Sequence, residues 1–330
     1  MTTPIADFVN NYISSGAVRL HMPGHKGTPL LGPEPWDITE IPGADWLYDP
    51  RGIIRESEEN AGALFGADTF YSAEGSSLCV RAMLFLAVLD AKRKGRKPLI
   101  AAGRNVHKSF LTGAALLGAQ ITWIYPGEGA SYLSCAPTAE DVEAVFKAGE
   151  DAPAAVYLTS PDYLGNTVHG MAEIAGVCHR HGALLIVDNA HGAYLKFLNP
   201  SRHPMDMGAD MCCDSAHKTL PVLTGGAYLH ISKAAEAHLH ENARHALGMF
   251  GTTSPSYLIL QSLDLANRYL ETCPERLAAF AEKTAELKRK LRDRGFVLCG
   301  GEPLKITICP KSYGYTGDGL AGLLREKGQR

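Results

Sequence analysis

The sequence has almost no net charge. Its 32 lysines and arginines against 35 aspartates and glutamates leave a formal value of -3, with a pI near 6.5. That balance excludes a strongly basic nucleic-acid binder and a polybasic membrane-surface protein. A local site for a small phosphate-bearing ligand stays open. No apolar run approaches the ~20 residues needed to cross a bilayer; the longest, Leu78–Leu89, is broken by Arg81. The stretch Met1–Asn10 lacks the basic and then apolar segments of a secretory signal, so the cytoplasm is the expected compartment. The eight cysteines contain no Cys-x-x-Cys pair, which removes the usual signature of structural zinc and of thioredoxin-type redox chemistry. They read as reduced, mostly buried thiols. Internal repeats and low-complexity tracts are also missing.

What is present is an ordinary globular composition, 45% hydrophobic and 20% charged over 330 residues. At roughly 100–200 residues per domain, this is room for a large domain and a smaller one. The first sixty residues read as an irregular arm, rich in Pro and Gly. From about residue 61 the texture changes to short apolar strands alternating with helices. Strands are expected at Pro98–Ala102, Gln120–Tyr125, Ala154–Thr159, Ala183–Val187, Met211–Asp214 and Gly226–Ile231. Helices are expected at Ser77–Leu89, Lys108–Gly118, Glu140–Ala148 and Met171–His181. This alternation predicts an α/β fold with a mainly parallel sheet covered on both faces, extending to about residue 270. Residues 271–330 read as a partial small α+β domain. It would consist of an amphipathic helix Glu275–Arg294, two strands at Phe296–Leu298 and Lys305–Ile308, and a helix Asp318–Lys327 with Asp318 as its N-cap.

Ligands of open α/β sheets collect at the carboxyl ends of the strands, which narrows the search to four segments. Ala183–Val187 delivers Asp188, Asn189, Ala190 and His191; an acid there commonly only caps a turn. Met211–Asp214 delivers Ser215, His217 and Lys218 at the end of a buried strand, and lysines avoid burial unless paired or reactive. The segment Glu74–Ser77 puts Gly75, Ser76 and Ser77 at a helix start, either an ordinary cap or an anion site formed by free N–H groups and the helix dipole. Arg104–Ser109 places His107 at another helix start. No single element is specific. A lysine able to hold an aldehyde, an acid thirty residues upstream and a phosphate-binding helix start are together the parts that pyridoxal 5'-phosphate requires.

The segments HMPGHKG, RNVHKS, VDNAHGA, DSAHKTLP and GTTSPSYLILQSLD resemble, in order and wording, the motifs of the Orn/Lys/Arg decarboxylases. The match runs from His21 to about Asn267. The resemblance implies an aspartate aminotransferase-like, fold-type I pyridoxal-phosphate enzyme that decarboxylates lysine, arginine or ornithine, a chemistry of polyamine biosynthesis. On this basis Lys218 is the lysine that holds the cofactor, Asp188 the partner of its ring nitrogen, and His107 the residue stacked on the ring, with Ala190 on the other face. His191 would orient Asp188, and His217 would assist Lys218. Ser76, Ser77, Ser215 and His217 would hold the phosphate. Thr253 and Ser254 would reach it from the neighbouring subunit of a homodimer. HMPGHKG would lie near the dimer interface and the mouth of the site, with roles for His25 and Lys26 left open.

Three positions depart from the family pattern: Asn189 stands where Glu is usual, Asp162 where Thr is usual, and Glu74 where Asn or Gln is usual. The family also continues well past the Tyr313–Gly317 stretch, whereas this sequence stops soon after it. A shortened or inactive cofactor-binding relative is therefore an alternative, as is another fold-type I activity such as an aminotransferase or lyase. A basic substrate needs an acidic partner, for which Asp162, Glu40 and Asp45 are candidates. No metal is expected. His238, His240 and His245, like Cys178, His179 and His181, include positions two apart on a helix, which face different ways.

Overall fold

Seven short strands build one sheet in the computed structural model, which describes residues 1–128, 131 and 133–329. Helices α1 (Pro4–Ser14) and α2 (Ile53–Phe65) precede β1 (Ala67–Ser72). The chain then alternates through α3 (Ser76–Arg93), β2 (Leu99–Gly103), α4 (Lys108–Leu117), β3 (Gln120–Ile124), α5 (Ala139–Ala148), β4 (Ala155–Thr159), α6 (Met171–Arg180) and β5 (Leu184–Asp188). It continues with β6 (Met211–Asp214), the single-turn α7 (Ala216–Thr219), β7 (Ala227–Ser232), α8 (Ala237–Phe250) and α9 (Tyr257–Glu271). The strand order is β1-β7-β6-β5-β4-β2-β3, and β7 alone runs against its neighbours. This is the mainly parallel α/β sheet expected from the alternation of strands and helices.

The period-2 geometry of a strand explains the continuous apolar runs. Ala155 and Tyr157 of β4, with Leu184 and Ile186 of β5, pack into the cluster built on α3, α4 and α8. The intervening Val156, Leu158, Leu185 and Val187 pack on the opposite face with Val142, Phe146, Ile174 and Val177. Both faces are covered, so every position is apolar. Burying each such large side chain stabilises the fold by roughly 1.5–3 kcal/mol.

The first sixty residues are not irregular throughout. Helix α1 buries Ile5, Ala6 and Val9, and its first turn is held from far away: the Asp264 carboxylate accepts the amides of Ile5 and Ala6, each at 3.0 Å. Strand β1 went unread because ADTFYS is half polar, and its burial comes from pairing with β7. Helix α9 was also missed, whereas the helix read at His238, His240 and His245 is α8. The last part contains α10 (Pro274–Asp293), a two-stranded ladder of β8 (Leu298–Cys299) and β9 (Thr307–Ile308), and α11 (Gly317–Glu326). The N-cap of α11 is Thr316, whose hydroxyl accepts the Gly319 amide at 3.1 Å, not Asp318.

The ladder docks on the turn after β4. The Gly165 carbonyl accepts both Gly301 and Glu302 amides at 2.8 Å. Lys305 Nζ donates to the Tyr163 carbonyl at 2.6 Å, and the Thr307 hydroxyl to the Leu164 carbonyl at 2.9 Å.

Candidate active site

The carboxyl ends of β4, β5 and β6 converge with the starts of α3 and α4 on a cavity of about 180 Å³. Ten of the twelve expected site residues line it: Gly75, Ser76, Ser77, His107, Asp188, Ala190, His191, Ser215, His217 and Lys218. The other two, Thr253 and Ser254, lie in the loop between α8 and α9 and do not line it. That loop is tied to the α3 start of its own chain, where the Glu74 carboxylate accepts the Thr252 amide at 2.5 Å.

Helix α3 begins abruptly because Gly75 adopts φ +73°, a conformation that side-chain-bearing residues rarely take. The turn brings Ser76 against Ser215, whose hydroxyl donates to it at 2.6 Å. Two hydroxyls and the free amides of an 18-residue helix thus share one end of the cavity, the arrangement that suits a phosphate.

At the other end Asp188 is 3% exposed. Its carboxylate accepts the Ala190 amide and the Tyr157 hydroxyl, each at 3.2 Å. Burial nevertheless raises its carboxyl above the ordinary carboxylate range, against the opposing pull of the Ala190 amide and the Lys218 charge. A cation in the cavity would favour the ionised form.

His107 serves both as a helix cap and as a wall of the site. Its Nδ1 accepts the Ser109 amide at 3.2 Å and pairs with the Ser109 hydroxyl at 2.8 Å, capping α4. The proton therefore sits on Nε2. His217 is fixed the other way round, with Nδ1 donating to the Gly226 carbonyl at 3.0 Å.

Lys218 does not contact Asp188 directly. Its Nζ donates to His191 Nε2 at 3.2 Å. The imidazole expected beside Asp188 thus bonds to the lysine in this structure. Partial burial and the charges of Lys218 and Lys305 hold His191 down to about 4, so it is neutral and can accept the bond. Loss of water likewise lowers Lys218, although Asp188 works in the opposite direction. A lowered lysine has a larger fraction of free amine, the form that condenses with a carbonyl.

Behind this cavity lies a buried network that the sequence did not reveal. Asp214 accepts Asn189 Nδ2 at 2.6 Å, His203 Nε2 at 3.0 Å and His230 Nε2 at 3.1 Å. Burial pushes its carboxyl up, but the two histidines outweigh this and hold it well below the usual range. Asn189, where glutamate was expected, supplies an amide donor to a carboxylate. The His203–Asp214–His230 cluster has metal-like spacing. However, His203 Nδ1 already accepts the Met205 amide, so its Nε2 carries a hydrogen toward Asp214 and not a lone pair.

Reasoning from sequence also missed Tyr157, Asn105 and Thr159. The side-chain oxygen and nitrogen of Asn105 and the Thr159 hydroxyl are buried without partners, and both residues line the cavity. Asn105 was detectable, two residues before His107 in RNVHKS. Thr159 and Tyr157 carry no signal beyond their place on β4.

Paired hydroxyls at a helix start, a buried acid, a lysine and unpartnered polar groups between them fit pyridoxal phosphate. They define the class: an α/β protein with a strand-end cavity suited to that cofactor. Residues 3–307 match the Orn/Lys/Arg decarboxylase major domain, and the chain belongs to that family. The family is pyridoxal-phosphate-dependent.

The chain is 31% identical to arginine decarboxylase of Bacillus subtilis, over 98% of this chain and 69% of that protein. It is 30% identical to arginine decarboxylase of Halalkalibacterium halodurans over the same shares. Among solved structures, lysine decarboxylase A from Pseudomonas aeruginosa superposes with a TM-score of 0.72 at 22% identity. That match covers 88% of this chain and 43% of that one, so this chain spans less than half of that enzyme's length.

Proposed function

We propose that the chain binds pyridoxal phosphate at Lys218 and decarboxylates a basic amino acid, lysine, arginine or ornithine, to the corresponding amine. The observation that carries this reading is one cavity lined by Lys218, Asp188, His107 and the start of α3, in a chain whose family is defined by that reaction.

When bound, the cofactor supplies a conjugated ring that accepts the electron pair released as the Cα–carboxylate bond breaks. The protein's own groups do the rest. The α3 amides with Ser76, Ser77, Ser215 and His217 hold the phosphate. Asp188 keeps a proton on the ring nitrogen and is itself held by Tyr157 and Ala190. His107 and Ala190, which line the cavity, would pack against the cofactor's ring. Lys218 would hold the cofactor through its amine and, with His217 on the same cavity wall, would be the proton donor to the substrate. His191 keeps Lys218 aimed into the cavity.

We read residues 61–270 as the cofactor domain, 1–60 as an arm and 271–330 as part of a smaller domain. The working unit is a cytoplasmic homodimer in which Thr253 and Ser254 of each chain complete the neighbour's phosphate site. Among the described residues no helix is long and apolar enough to cross a membrane. The test is incubation of the pyridoxal-phosphate-loaded protein with the three amino acids, scoring CO2 and amine. Keto acid without CO2 would replace this reading with that of an aminotransferase.

A further inference from the structure

Decarboxylation of a basic amino acid, the reading on which this inference rests, leaves one requirement without a residue: a carboxylate for the cationic end of the substrate. The three acids suggested by the sequence do not supply it. Asp162 spends its carboxylate on the Leu164 and Asn166 amides and the Asn166 side chain. Asp45 accepts the amides of Trp46, Arg51, Gly52 and Ile54. Glu40 is exposed and pairs with its neighbour Thr39. None of the three lines a cavity at Lys218.

A second cavity, of about 310 Å³, shares Pro161, His191 and Lys218 with the first. Tyr194, Glu302 and Leu304 also line it. Two of its polar groups lack a partner suited to them. The Tyr194 hydroxyl is buried without a hydrogen bond. Glu302 is 4% exposed, and among the described residues its carboxylate is held only by the backbone amides of Leu304, at 3.3 Å, and Lys305.

Lys305 lines the same cavity, but its ammonium is committed to the Tyr163 carbonyl. Among the described residues no ion pair reaches Glu302. Burial raises its carboxyl above the ordinary range and outweighs the Leu304 and Lys305 amides and the nearby Lys305 charge.

Its position is nonetheless fixed. Gly165 anchors the Glu302 amide, and Lys288 Nζ donates to the Glu302 and Pro303 carbonyls at 2.5 and 3.1 Å. A rigid, buried carboxylate beside an unpartnered hydroxyl and an apolar wall is complementary to an aliphatic stem ending in an ammonium or guanidinium.

We propose that this cavity is the side-chain subsite, with Glu302 accepting from the substrate's terminal cation and Tyr194 adding a second polar contact. Segment 298–308 thereby becomes the determinant of substrate class.

The test compares binding of lysine and arginine with that of norleucine, the neutral analogue of lysine's chain length, to the pyridoxal-phosphate-loaded full chain. It is read by calorimetry and by the change in cofactor absorbance. Wild type is expected to prefer the basic ligands. Glu302→Gln should lose about 10- to 100-fold of that preference through weaker basic-ligand binding, with norleucine binding kept and KM rising more than kcat falls. Tyr194→Phe should show a smaller loss of the same kind. Should Glu302→Gln fail to fold, Glu302→Asp and Tyr194→Phe are judged on the same readout. Full discrimination in variants with intact Tm would overturn the subsite while leaving the decarboxylase reading standing. A wild type without preference for basic ligands would overturn both.

Discussion

The ammonium of Lys218 and Nε2 of His191 lie 3.2 Å apart, and the histidine is neutral because burial and the lysine's own charge hold it down to about 4. This pairing has a pH signature. Above the ordinary value of 6.5 neither folded nor unfolded His191 carries a proton. Between 6.5 and about 4 the unfolded chain binds one and the folded chain does not, so acidification favours unfolding. His191→Asn removes this linkage. The Tm of the variant's apo form should fall less steeply between pH 7 and 4.5 than that of wild type; parallel slopes would show that His191 is not held neutral.

Asp188 sets the charge opposite the phosphate end of the cavity. Asp188→Asn should keep the cofactor bound at Lys218, visible as its absorbance band. It should lower kcat by about 10²–10³-fold, the scale for removal of one preorganised electrostatic partner. A variant within threefold of wild type would remove Asp188 from the mechanism.

Asp214 is the common acceptor of His203, His230 and Asn189. Asp214→Ala leaves three buried donors unpaired. It should cost about 3–5 kcal/mol in urea denaturation, at 1–3 kcal/mol for each orphaned group with partial relaxation. Because both imidazoles are occupied by hydrogen bonds, EDTA should leave the wild-type Tm unchanged. A chelator-induced drop would mean that the cluster holds a metal.

Asp264 caps α1 from 259 residues away. Asp264→Ala frees the Ile5 and Ala6 amides and the Ser57 hydroxyl, which donates to the same carboxylate at 2.6 Å. It should destabilise the chain by about 2–4 kcal/mol and raise amide exchange across residues 4–14. Unchanged protection there would place the anchor of α1 elsewhere.

These contacts mark where sequence reasoning succeeds and where it stops. Strand ends are local: the runs Ala154–Thr159 and Ala183–Val187 announce β4 and β5, and the residues just after them had to face the ligand end of the sheet. That Lys218, Asp188, His107 and the α3 start would share one cavity was therefore legible. Long-range contacts were not. Helix α1 owes its cap to Asp264, β1 owes its burial to β7, and Glu302 sits in a CGGEPLK loop with no periodicity to single it out. The hydrogen bond of His191 to Lys218 likewise joins residues 27 apart in sequence and carries no local signal.

The central claim is that Lys218 runs a decarboxylation. Pyridoxal-phosphate-loaded wild type and Lys218→Ala are incubated with lysine, arginine and ornithine, and CO2 and amine are measured together. Stoichiometric CO2 and amine from at least one of the three, lost along with the cofactor absorbance band in Lys218→Ala, is the expected result. Keto acid without CO2, or an intact band with no turnover of any of the three, would contradict it.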